Sequence, residues 1–161
     1  MPLPEWFDWT AGVASIAGLG YAWWASHQAG GAKVAAERAE KSVHLRNAEV
    51  DFGSLARMAK ELHGYVEGGR MAEARLRTTD LRSELALAIP NHKTFLGTQL
   101  NLVKEKQIDL VLVANGLNRG SDTLTRSEKI RLLGITGAIL EVLAGQCGEL
   151  RSSVERGVTN G

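Results

Sequence analysis

The chain has 161 residues, of which 44% are hydrophobic and 23% charged, with a formal net charge of +1. That length fits about one domain, and that balance excludes a disordered chain, a collagen-like repeat and a disulfide-rich secreted scaffold. Near-neutrality leaves no basic field for nucleic acid, and the single cysteine, Cys147, excludes an internal disulfide and a CxxC metal or redox pair.

The average conceals an asymmetry. All 19 Lys and Arg residues lie at or after Lys33, and all 4 Trp residues lie at or before Trp24. Residues 1–29 read as an N-terminal tail and a transmembrane helix. Pro2 and Pro4 suit an extended lead-in, with a helix starting near Glu5. No Asp, Glu, Lys or Arg occurs from Trp9 to Ala32. The more apolar part, Trp9 to Ser26, covers about 27 Å as a helix, near the hydrocarbon thickness of about 30 Å. Aromatic residues flank it: Trp6, Phe7 and Trp9 at one end, Tyr21, Trp23 and Trp24 at the other. Such rings prefer the bilayer interface, where an apolar body meets a polar NH or OH, so Trp6, Trp9, Trp23 and Trp24 are the expected anchors. A soluble core helix would have to hide four Trp residues, and a secretory signal would need a basic start where this chain has Glu5 and Asp8.

Charge sets the expected direction. No Lys or Arg precedes the span, and Lys33, Arg38, Lys41 and Arg46 follow it. The positive-inside rule then puts the N-terminus outside and the remainder in the cytoplasm, as a single-pass protein of the inner (cytoplasmic) membrane. Lys33, Arg38 and Lys41 are placed to meet anionic lipid head groups. Thr10, Ala14, Gly18, Ala22 and Ser26 recur every fourth residue, a small-residue stripe along which two span helices could pack.

Residues 30–44 read as a juxtamembrane stalk. Gly30 and Gly31 predict a bend or swivel, and the Ala/Glu/Lys/Arg-rich stretch beyond them predicts a solvated helix. Residues 45–157 read as a helical bundle domain, with 158–161 a tail. Leu45, Ala48, Phe52, Leu55, Ala59, Leu62 and Val66 step by three and four, one buried seam. Gly68-Gly69 marks a turn, and a second helix over about 70–89 carries its seam at Met71, Ala74, Thr78, Leu81, Leu85 and Ala88 before Pro90 ends it. A third helical unit spans 91–114 without a breaker, its seam at Leu96, Leu100, Val103 and Leu110, although residues 108–114 also suit a short strand. Residues 115–122 read as a loop. Thr125 and Glu128 have capping-box spacing for a last helix from Arg126 to about Arg156. Ile130, Leu133, Leu140, Leu143, Cys147, Leu150 and Val154 are expected to face its core. Residues 132–147 are apolar enough to raise the question of a second span. Glu141 near the middle favours a buried bundle helix.

No catalytic motif stands out. Glu40 and His44 share a helix face, but two ligands do not make a metal site. Cys147 has no base placed beside it by sequence. The arginines Arg70, Arg75, Arg77 and Arg82 alternate with Glu73, Asp80 and Glu84, as on an ordinary mixed-charge face. No catalytic residue, metal or cofactor is expected.

The Trp-flanked span, the Ala/Glu/Arg helix and the turn EGGRMAEARLR at residues 67–77 together resemble a group of small bacterial membrane proteins. The resemblance covers roughly residues 6–89. It implies a membrane context and carries no activity or site residues.

The expected architecture is therefore all-α: one N-terminal transmembrane helix followed by a cytoplasmic bundle of about four helices. The expected function is a membrane-anchored interaction or scaffold module that self-associates through its span and meets a cytoplasmic protein partner. Two alternatives are an effector that oligomerises to permeabilise the bilayer, and a ligand sensor signalling to the span.

Overall fold

Among the described residues of the computed structural model every regular element is helical. The description covers residues 6–119 and 124–159, and the side chains of residues 24, 31–118 and 124–156. The elements are α1 (Trp6–Glu67), α2 (Met71–Asn91), α3 (Lys93–Leu96), a 3-10 turn (Gly97–Gln99), α4 (Leu100–Arg119) and α5 (Arg126–Thr159). The chain divides into two compact units, residues 1–41 and 42–161.

In the first unit α1 runs through Gly30 and Gly31, so the expected bend at the glycine pair is not found. Strong helix formers follow at once from Ala32, which offsets the roughly 1 kcal/mol that a mid-helix glycine costs relative to alanine. The side chains from residue 31 to the end of this unit are all exposed.

In the second unit the core is four facing seams. α1 buries Ala48, Phe52, Leu55, Ala59, Leu62 and Val66, with Leu45 half-buried at the margin. α2 buries Met71, Ala74, Thr78, Leu81, Leu85 and Ala88. Both seams are those the heptad spacing predicts. Each fully buried Leu or Phe contributes about 1.5–3 kcal/mol relative to exposure.

Cross-helix contacts fix the order and direction of the helices. Glu61 of α1 meets Arg77 of α2 at 2.8 Å and Asp51 meets His92 at 2.7 Å, so these helices run antiparallel. Arg75 Nε donates to the Leu117 carbonyl at 2.9 Å, which sets the start of α2 against the end of α4. A Cβ added to Gly116 would lie 3.0 Å from Leu132, and Gln99 Nε2 donates to Glu149 at 3.4 Å, so α4 and α5 are antiparallel too. His63 and Thr136 at 2.9 Å, with Cys147 Sγ 3.8 Å from the Glu49 carbonyl, close the ring between α5 and α1. The result is an up-down-up-down four-helix bundle, the arrangement that short connections favour.

The turns follow from local chemistry. Arg70 N donates to the Tyr65 carbonyl at 2.8 Å and Gly69 N to the Val66 carbonyl at 3.3 Å, with Gly69 at φ +72°. This is a Schellman end to α1, and the Arg70 guanidinium stacks 4.7 Å above the Tyr65 ring. α2 ends one residue past Pro90, whose ring cannot donate to the ladder.

Three expectations need correction. The third unit does contain a breaker: Gly97 sits at φ +49° and separates α3 from α4. α4 continues to Arg119, so residues 115–119 are helix rather than loop, with Leu117 buried. The 108–114 stretch is helical, in line with the helical reading of this unit and against the strand alternative. In α5 the buried seam is Leu132, Thr136, Ile139, Leu143, Gln146 and Leu150. Ile130 is 62% exposed, and Leu133, Leu140, Cys147 and Val154 are half-buried on the flank. The capping box forms as spaced. Thr125 N donates to Glu128 Oε2 at 2.9 Å and Glu128 N donates to Thr125 Oγ1 at 3.3 Å.

Candidate functional surfaces

The expected packing stripe Thr10, Ala14, Gly18, Ala22 and Ser26 lies within α1, and its side chains lie outside those described. The same holds for Trp6, Trp9 and Trp23. Trp24 is described and is 52% exposed. Lys33, Arg38 and Lys41 are exposed on α1. Among the described residues one helix is long and apolar enough to cross a membrane, and it is the stretch Arg126–Arg156 of α5, with mean hydropathy 1.4 over its best window. That helix contributes a seam to the bundle core, as the position of Glu141 led us to expect.

Three of the four arginines in residues 70–82 are engaged within the chain, and Arg82 is exposed. Arg70 pairs with Glu73 at 2.7 Å, Arg77 with Glu61 at 2.8 Å, and Arg75 caps the carbonyl end of α4. The Arg70 hydrogen bond holds the Glu73 carboxyl below the usual carboxylate range. Glu61 Oε2 reaches ion-pair distance from Arg77 without hydrogen-bond alignment, so that contact is electrostatic rather than directional. Arg75 and Arg77 fasten neighbouring helices, whereas Arg70 acts within the turn between α1 and α2.

Polar side chains occupy several seam positions. Thr78 donates back to the Ala74 carbonyl at 2.7 Å. Lys106, a seam residue that apolar spacing alone does not reveal, is 9% exposed and reaches Asp109 at 2.7 Å. The Asp109 hydrogen bond raises the Lys106 pKa, against the opposing effect of burial. Gln146 is 4% exposed, and its Oε1 has no hydrogen-bond partner.

A groove of about 230 Å³ lies between α1 and α2, lined by Asp51, Ser54, Leu55, Glu84, Leu87, Ala88 and Asn91. It is below the usual size of a small-molecule site, roughly 300–1,000 Å³. His92 borders it through its bond to Asp51 and packs edge-on to Phe52, with ring centroids 6.3 Å apart. No group of three His, Cys, Asp or Glu side chains comes together among the described residues. No protein family, curated protein or solved structure matches the chain.

Proposed function

We propose that the protein is a membrane-anchored helical interaction module. Residues 9–26 cross the inner membrane with the N-terminus outside, and the bundle of residues 42–161 lies in the cytoplasm as a platform for a protein partner. The observation that carries this reading is the charge-free stretch flanked by Trp6, Trp9, Trp23 and Trp24 within one helix, followed by Lys33, Arg38 and Lys41. The exposure of those three cations supports their contact with lipid head groups. The Thr10 to Ser26 stripe gives the span a surface for pairing with a second copy.

The bundle supports a scaffold better than a catalyst. Asp51–His92 and Glu61–Arg77 spend their charges on helix-to-helix contacts, and the groove between α1 and α2 is small and open. Fractionation with carbonate and detergent washes, followed by in-membrane cross-linking, tests the proposal. Recovery in the carbonate-resistant membrane fraction as a cross-linked ladder is expected. Recovery in the carbonate-soluble fraction overturns the anchor and the orientation with it. Collapse of membrane potential on induced expression replaces the scaffold by a permeabilising effector.

A further inference from the structure

Three features that weaken a helix converge on one short stretch of α5, Ala144-Gly-Gln-Cys-Gly-Glu149. The first is a pair of exposed glycines in the helix interior, Gly145 and Gly148. A Cβ at either would meet nothing within 4 Å, and neither has a positive φ. Neither close packing nor backbone conformation within the chain therefore requires glycine there, while its conformational freedom favours the unfolded segment. The second is Gln146, which occupies a core seam position at 4% exposure with Oε1 unpartnered. Its carbonyl oxygen regains a hydrogen bond whenever the segment meets water.

The third is a thin set of anchors beyond this point. After Gln146, Leu150 is the one fully buried side chain of α5 among the described residues. Its companions are the half-buried Cys147, Ser153 and Val154, with Cys147 Sγ 3.8 Å from the Glu49 carbonyl, and the exposed 3.4 Å bond between Gln99 and Glu149. Leu132, Thr136, Ile139 and Leu143 hold the first half of the helix far more firmly.

We infer that the C-terminal half of α5, from about Ala144 onward, is a built-in opening segment that leaves the bundle without unfolding the rest. Proteins open in such sub-global units where few buried apolar contacts oppose loss of helix. Opening bares the end of the bundle where Cys147 lies against Glu49 and Gly53. This inference concerns the bundle alone and does not rest on the membrane anchor.

Cys147 is the only cysteine, half-buried inside the segment, and so a native reporter. The experiment is the rate of thiol labelling of the full-length protein, in detergent where required, at urea concentrations well below the unfolding midpoint. Gly145→Ala and Gly148→Ala are each expected to slow labelling about four-fold, the ratio that their helix propensity gives. Gln146→Leu is expected to slow it as well. Gly134→Ala is the control, since Gly134 is also exposed with open space at its Cβ but lies in the firmly held half. It should leave the labelling rate unchanged while raising the global unfolding midpoint. Equal slowing by Gly134→Ala means that labelling needs global unfolding, and overturns the inference. Indifference to Gly145→Ala and Gly148→Ala means that the thiol reacts from the closed bundle, and overturns it too. Amide exchange provides a second readout, with residues 145–156 expected to exchange together and faster than residues 130–143.

Discussion

At Gly69 a single backbone angle decides a turn. Its φ of +72° lets Arg70 and Gly69 donate to the last free carbonyls of α1, and any L side chain there meets its own carbonyl. Gly69→Ala should therefore cost about 1–2 kcal/mol in urea unfolding, and an unchanged midpoint would show that the turn accepts another geometry. Leu62 decides packing in the same local way. It is fully buried in the α1 seam, so Leu62→Ala should cost about 2–5 kcal/mol, transfer and cavity together. A loss below about half a kcal/mol would mean that the seam relaxes around the void. Lys106 tests electrostatics. Its side chain is nearly buried and its ammonium bonds to Asp109, which raises its pKa. A raised lysine pKa stabilises the fold fully below the unfolded-state pKa, and that contribution is lost as pH rises through the folded-state value. Removing the nearer acceptor leaves the ammonium with only the 3.4 Å contact to Glu105, whereas removing the lysine leaves the better-solvated Asp109. Asp109→Ala should cost about 1–3 kcal/mol, more than Lys106→Met, and should abolish the alkaline loss specific to this pair. The reverse order of stabilities would show that the methylene stem of Lys106 matters more than its charge.

At the scale of elements, α5 shows both what patterns reveal and what they hide. Its start is readable because a capping box is local chemistry, and Thr125 and Glu128 sit at the required spacing. Hydrogen bonds from Thr125 hold the Glu128 carboxyl below its ordinary range. The cap is thus complete above the unfolded carboxyl pKa and is lost as pH falls through the lower folded value. Thr125→Ala should lower stability at neutral pH and flatten this part of the acid limb, a comparison made by thermal melts across the acidic range. The seam of α5 is less readable. Leu132 and Leu133, Ile139 and Leu140, and Val142 and Leu143 are adjacent pairs, so two neighbouring stripes fit the helical period equally well. The stripe chosen on apolar content avoids Thr136 and Gln146, yet the bundle buries both. Lys106 escapes notice in α4 for the same reason, since a long stem with a nearby Asp109 can fill a core position that hydropathy assigns to the surface. In α1 and α2 no competing stripe exists, and spacing alone locates the core. The break at Gly97 needs a backbone angle that composition does not disclose.

For the whole molecule, the two ends of the chain obey different solvents in the proposed arrangement. The bundle is closed by its own seams, with Thr78, His92, Thr136 and Lys106 each given a partner inside the unit. It therefore has less need of a second copy than the N-terminal stretch, whose glycines and alanines have few side-chain atoms with which to build a core. In lipid, association depends on how closely two backbones approach, and Gly18 stands at the centre of the Thr10 to Ser26 stripe. A bulky side chain there separates the helices along the whole stripe without adding charge or shortening the apolar stretch. Gly18→Leu should leave membrane recovery intact and reduce the cross-linked species, while Leu19→Ala, one position off the stripe, should leave both unchanged. If Gly18→Leu cross-links as well as the unaltered chain, copies do not meet through this stripe, and any self-association must arise elsewhere. If instead it leaves the membrane fraction, the N-terminal stretch was packed as protein core, where an added leucine cannot fit, and the anchor falls together with the stripe.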